Sequence, residues 1–180
     1  MEREIQKWLN EGKQSEITSL IKNISNKFEG DEFDKIDKIL RWIEKNIPAQ
    51  KEYGKIIKIF SKRKADKIIK DKFNTGCHDT AVLTATFLRA VGIPAKFVEG
   101  IDKLNPKNRG HCVVEAYVKG DWILIDPESF TISLKPNRNL FYKTNYVIGK
   151  GLDAWDLGIK SFDDWKNKSN DVIKQVKKIK

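Results

Sequence analysis

The sequence predicts an α+β fold, and two observations carry that prediction. Apolar residues recur at helical spacing from the start of the chain to about residue 91, and three short β-rich runs then follow one another between residues 95 and 126. Helices gathered first and strands gathered afterwards do not build the alternating units of a parallel sheet. The strands are therefore expected to pair antiparallel, with the helices packed against them.

Ile5, Trp8 and Leu9 mark a short amphipathic start. Ile17, Leu20, Ile21 and Ile24 repeat at helical spacing up to Gly30, and Phe33, Ile36, Ile39, Leu40 and Ile43 mark a further helix that stops near Pro48. Residues 56–73 read as a basic helix or a pair of turns containing Phe60, Ile68 and Ile69. The clearest helix spans residues 77–91. Its apolar positions Ala81, Leu83, Ala85, Phe87, Leu88 and Val91 form a stripe broad enough to be largely buried. Asn74 or Thr75 is expected to cap it, and Gly92 followed by Pro94 ends it. Strands are expected over residues 95–101, 111–118 and 122–126, with a shorter one over 132–134, before a Lys-rich C-terminal helix.

A chain of 180 residues suits one domain with extensions better than two domains. The expected division is a helical extension over residues 1–30, a core over 31–148 and a helical embellishment over 149–180. Thirty-five Lys and Arg against 25 Asp and Glu give a formal charge of +10. Acids lie near most of these cations, which reads as a solvated surface. Two cysteines are too few for a secreted disulfide scaffold, the charged start has no signal-peptide core, and no apolar run approaches the roughly 18 residues that span a bilayer. A cytoplasmic protein without membrane contact is expected.

The chemistry-bearing residues begin with Cys77. A helix N-terminus favours its thiolate, Gly76 before it lets a substrate approach the backbone, and its own N–H would point at a developing oxyanion. A buried core cysteine is the alternative. His111 and Asp126 enter through hairpin register. If Lys119 and Gly120 form a two-residue turn, Val118 faces Asp121 and Asp126 falls opposite Val113. His111 is then a diagonal neighbour of Asp126, at about 7–8 Å between backbones, within reach of an Asp–imidazole hydrogen bond. If the turn centres on Gly120 and Asp121, Asp126 slides opposite Glu115 and the pair is pulled apart.

The segment from Gly76 to Asp79, the run FLRAVGIPAKFVEG and the run GHCVVEAYVKGDWILIDPES together resemble the transglutaminase-like superfamily over about residues 34–146. The resemblance implies a papain-like, transglutaminase-like α+β domain in which the cysteine-bearing helix packs on an antiparallel sheet. It also implies roles: Cys77 as nucleophile, His111 as general base and acid, and Asp126 as the residue that orients His111. The chain departs from many members of the family at Val113, where they carry an aromatic residue. Asn74 and Gly76 are candidate oxyanion or substrate residues, and Glu115 is a further one because it shares the strand face of His111. Trp42 lies where transglutaminases place a stabilising Trp, but its amphipathic helix favours a core role.

The expected function is cysteine-dependent acyl transfer through a covalent thioester, hydrolysing peptide or amide bonds in a peptide or protein substrate. Transfer of a glutamine acyl group to an amine is the alternative. No cofactor is expected. No metal is expected either: adjacent strand residues point to opposite faces, so His111 and Cys112 cannot grip one ion together with Cys77 and His78, and the same alternation argues against a Cys77–Cys112 disulfide. A non-enzymatic reading is nucleic-acid binding through residues 51–72, with nine Lys or Arg against three acids, although no recognition motif accompanies that run.

Overall fold

A computed structural model describes residues 2–179. Five short or medium helices precede the central one: α1 (Glu2–Gln6), α2 (Ser19–Ser25), α3 (Glu32–Asn46), α4 (Tyr53–Ile59) and α5 (Ala65–Asp71). The basic stretch is thus two short helices, parted at Ser61, whose φ of 56° breaks the helical path. The most regular of the five is α3. Asp31 accepts from the N–H groups of Phe33 and Asp34 while Asp34 reaches back to Asp31, and Ile36, Ile39, Leu40 and Ile43 form its buried face.

The central helix α6 (Cys77–Ala90) packs along β1 (Ala95–Asp102) and β2 (Gly110–Val118), with α2, α3 and α5 against its other sides. Every residue from His78 to Arg89 is buried. The helix ends as expected at Gly92, where φ is 84°, and the Ile93 N–H closes back onto the Leu88 carbonyl at 2.9 Å.

The sheet continues with β3 (Asp121–Asp126) and β4 (Thr131–Ser133). After α7 (Leu140–Thr144), β5 (Asn145–Gly151) returns to the far edge, giving the antiparallel order β4-β3-β2-β1-β5. α8 (Phe162–Ile179) closes the described chain and packs on β5. The β5 strand was not among the sequence expectations. Its segment NYVIGKG lacks clean alternation, and its partner β1 lies far back in the chain. No described helix is long and apolar enough to cross a membrane.

The two sheet faces are unequal. Ala95, Phe97, Ile101, Cys112, Val114 and Ala116 join α6 in the main core, whereas Val98, Val113 and Leu124 form a small second cluster under Phe141 of α7. The segments just before α2 and just after β5 are bound into the main body. Arg89 donates to the carbonyls of Ala95 and Leu152 and to the Ser15 hydroxyl, and Asp153 accepts from the Gln14 and Ser15 N–H groups.

Asp79 does more than complement the helix dipole. It is 1% exposed and accepts from the Thr75 N–H and hydroxyl and from the Arg63 guanidinium, itself buried. Arg63 keeps a second partner in Asp71, 3.2 Å away, so removing Asp79 leaves the two Thr75 donors and one edge of the guanidinium unpaired in the core. Asp79→Ala is expected to cost about 2–3 kcal/mol in urea unfolding; a cost under about 1 kcal/mol would show that this pair does not hold the helix start.

Candidate active site

Cys77 opens α6 directly after Gly76, whose φ of 105° and ψ of −157° suit a residue without a side chain. The turn before it is fixed by side chains rather than capped in the expected way. Asn74 Oδ1 accepts from the Gly76 N–H at 2.8 Å, its amide nitrogen donates to the Ile47 carbonyl, and Asp79 holds Thr75. The Cys77 N–H has no partner among the described residues. One of the two Asn74 amide N–H groups is thus engaged at Ile47 and the Gly76 N–H is engaged at Asn74, while the Cys77 N–H is the backbone donor left open towards a developing oxyanion.

The hairpin takes the first of the two registers considered. Lys119 and Gly120 carry φ of 49° and 87°, as a two-residue primed turn requires, Val118 pairs with Asp121, and Val114 pairs with Ile125. His111 at the start of β2 and Asp126 at the end of β3 then meet, with Nε2 and Oδ2 2.8 Å apart. The other Asp126 oxygen accepts from the N–H groups of Glu128 and Ser129, so the carboxylate is held from both sides. With Nε2 bound, Nδ1 is the nitrogen left for the thiol; Cys77 Sγ, a His111 ring nitrogen and a Glu128 oxygen all lie within 4.8 Å of one another.

The charges follow from this packing. A hydrogen bond from Cys112 first, and then His111, hold the Cys77 thiol well below its ordinary value, although burial opposes them. Burial alone would lower His111, but its bond to Asp126 and the neighbouring Cys77 thiolate raise it. Burial also opposes the ionised form of Asp126, and His111 outweighs it, keeping Asp126 below the usual carboxylate range. The shifts of all three side chains run in the direction that favours a thiolate, an imidazolium and a carboxylate in a row.

Beneath the thiol lies a polar chain. The Cys112 sulfur is 2.9 Å from Glu99 Oε2, and the Trp165 indole N–H donates to Glu99 Oε1 at 3.0 Å. Cys112 has one proton, which can serve either Glu99 or the Cys77 thiolate. Burial raises Glu99 to about 8, so at neutral pH the carboxyl keeps its own proton and the Cys112 S–H is free for Cys77. Burial likewise keeps Cys112 itself a thiol.

Two hollows meet at Cys77. One is an apolar cavity of about 150 Å³ walled by Ile56, Phe60, Phe162 and Trp165, with Glu99 and Cys112 also lining it. The other is a polar groove of about 400 Å³ lined by His111, Glu128, Asp102, Arg109 and Asn145. Glu128 was not singled out in the sequence. Its Oε2 lies 3.7 Å from His111 Nδ1, and burial followed by the Cys77 charge raises it. The only sequence signal for it was its position two residues after Asp126.

Glu115 does not reach this site. It is buried on the Val113 face, where it accepts from Tyr142, Lys150 and Lys96 at 2.6, 2.7 and 3.3 Å. Strand alternation gives His111 and Glu115 the same parity, but the side chains of Lys96, Tyr142 and Lys150 close over Glu115, whereas His111 at the strand end lines the polar groove. Trp42 packs edge-on against Phe87 in the core. In the basic stretch Arg63 is buried, and Lys64, Lys67 and Lys70 pair with Glu16, Asp71 and Asp66.

The comparisons with known proteins agree with this architecture. A Cytophaga hutchinsonii structure provisionally designated a cysteine protease is 25% identical, with a TM-score of 0.62 over 85% of this chain and 48% of its own. The periplasmic domain of TgpA from Pseudomonas aeruginosa is 18% identical, with a TM-score of 0.51 over 71% of this chain and 47% of its own. The chain therefore spans about half the length of either neighbour. No curated protein matches it. The profile of the transglutaminase-like superfamily matches residues 19–127, more than half of the chain and the part that carries Cys77, His111 and Asp126, and the protein belongs to that superfamily.

Proposed function

We propose that the protein is a cysteine-dependent hydrolase of peptide or amide bonds, acting through a thioester on Cys77. The observation that carries this reading is the row of Cys77, His111 and Asp126 at the junction of an apolar cavity and a polar groove. The Cys77 thiolate attacks the carbonyl carbon, and the oxygen takes up negative charge near the Cys77 N–H. His111 gives its proton to the leaving nitrogen as the C–N bond breaks, leaving a thioester. Neutral His111 then takes a proton from water, whose oxygen attacks the thioester carbon, and the thiolate departs. Asp126 keeps Nε2 engaged so that Nδ1 faces the chemistry.

The two hollows suit the two halves of such a substrate. His111 must protonate the leaving group, and it lines the polar groove, so the leaving amine belongs there. The apolar cavity on the other side of Cys77 then takes a hydrophobic acyl-side residue of a peptide. A thiolate nucleophile beside a second free thiol works best in a reducing compartment, so we place the activity in the cytoplasm.

With a chelator present, iodoacetamide labelling of Cys77 tests the charge state. A thiolate whose value is lowered persists down to that value, and an imidazolium whose value is raised persists up to it, so the ion pair fills the interval between them. Labelling near pH 6 is expected to be nearly as fast as near pH 8, whereas an ordinary thiol slows about tenfold per unit below about 8.5. His111→Ala, which leaves the Cys112 bond in place, is expected to steepen the fall towards that slope, and a wild-type protein that already follows it would contradict the assignment. In a fluorogenic peptide-amide assay, hydrophobic acyl-side residues are expected to be preferred over charged ones. Cys77→Ala is expected to abolish turnover without unfolding, and Asp126→Asn to lower kcat by up to about 10⁴-fold. Turnover retained in Cys77→Ala would refute the mechanism.

A further inference from the structure

Below Cys77 a second group of side chains converges that the acyl-transfer chemistry does not need. His78 turns into the core between the rings of Phe60 and Phe97, with centroids at 4.5 and 5.4 Å. It is 1% exposed, and neither ring nitrogen has a hydrogen-bond partner among the described residues. Buried polar atoms in this state are uncommon and call for an explanation. What faces His78 is a pair of donors from directly opposed strand positions, Glu99 of β1 and Cys112 of β2, each 1% exposed. Glu99 Oε2 lies 3.8 Å from His78 Nε2 and 2.9 Å from Cys112 Sγ, and all three donor atoms fall within 4.8 Å of one another.

We infer that His78, Glu99 and Cys112 form a binding site for one divalent transition-metal ion, with zinc the best match to the donor set. An imidazole nitrogen, a thiolate and a carboxylate are the three ligand types zinc accepts, and its bond lengths place tetrahedral ligands about 3.3–3.6 Å apart. The observed separations bracket that range, so small side-chain rotations close the site. Binding displaces the Cys112 thiol proton and the Glu99 carboxyl proton, and two anions then balance the dication in a buried place. The Trp165 N–H on the second Glu99 oxygen orients that ligand from outside the coordination sphere. Glu99 and Cys112 line the apolar cavity, which supplies both an entry path and an open fourth position beside Cys77.

Only His78 and Cys112 of the four residues weighed from the sequence take part in this site. The missing partner was Glu99, which the sequence offers no reason to join with His78. The inference does not depend on the acyl-transfer reading.

The test is titration of the chelator-stripped full chain with Co²⁺, read by the thiolate-to-cobalt charge-transfer band, and equilibrium dialysis against Zn²⁺. One equivalent of either ion per chain is expected. The cobalt band should survive in Cys77→Ser and vanish in Cys112→Ser, and Glu99→Gln should weaken zinc binding about tenfold or more with an unchanged circular dichroism spectrum. A band lost in Cys77→Ser and kept in Cys112→Ser places the ion on Cys77, His111 and Glu128 and overturns the inference. So does a wild-type chain that binds no stoichiometric zinc at micromolar concentration. Should Cys112→Ser fail to fold, zinc stoichiometry in His78→Gln and Glu99→Gln decides: wild-type binding in both overturns the site, and loss in both supports it.

Discussion

Burying α6 from end to end is the constraint on which the rest of the structure depends. A helix with no solvent face brings its charged groups into the core, where they need partners, and α6 carries Asp79 near one end and Arg89 near the other. Asp79 is met by Arg63 and Thr75, which fixes the turn that presents Cys77. Arg89 is met by the start of β1, by Ser15 and by Leu152, which draws the segment before α2 and the segment after β5 onto the core. Satisfying the two ends therefore sets where the cysteine stands relative to the sheet.

From that position the site's electrostatics follow. Above the thiol, His111 and Asp126 bring charge of alternating sign on the open end of the sheet; below it, Cys112 and Glu99 are buried and keep their protons at neutral pH. A thiolate between an imidazolium and a neutral S–H donor is stabilised from both directions without any uncompensated charge in the core. The same buried donors that stabilise the thiolate are the ones that converge on His78.

The walls of the apolar cavity come from two places in the chain. Ile56 and Phe60 lie within the family match, whereas Phe162 and Trp165 belong to α8, beyond its end at residue 127. The region shared with the superfamily supplies Cys77, His111 and Asp126, and a segment outside it shapes the space beside them. Trp165 couples the two, because its indole N–H is bonded to Glu99 on the floor of the site.

Local chemistry determined much of this protein from sequence alone. The apolar stripe of α6, its glycine and proline stop, and the β-rich runs after it made the α+β class legible, and hairpin register brought His111 within reach of Asp126 once a turn at Lys119 and Gly120 was assumed. These are short-range facts, set by periodicities of 3.6 and 2 and by the backbone freedom of glycine. The sequence left open which turn formed, and it offered Asn74 and Glu115 as site residues because spacing records parity but not who else competes for a side chain. Tertiary structure decided those points: Ile47 engages one of the two Asn74 amide N–H groups, and Lys96, Lys150 and Tyr142 take Glu115. It alone placed β5 beside β1, Glu128 beside the thiol, and Glu99 and Cys112 beneath it facing His78. Each of those contacts joins residues far apart in the chain or on different elements, and no local periodicity encodes them.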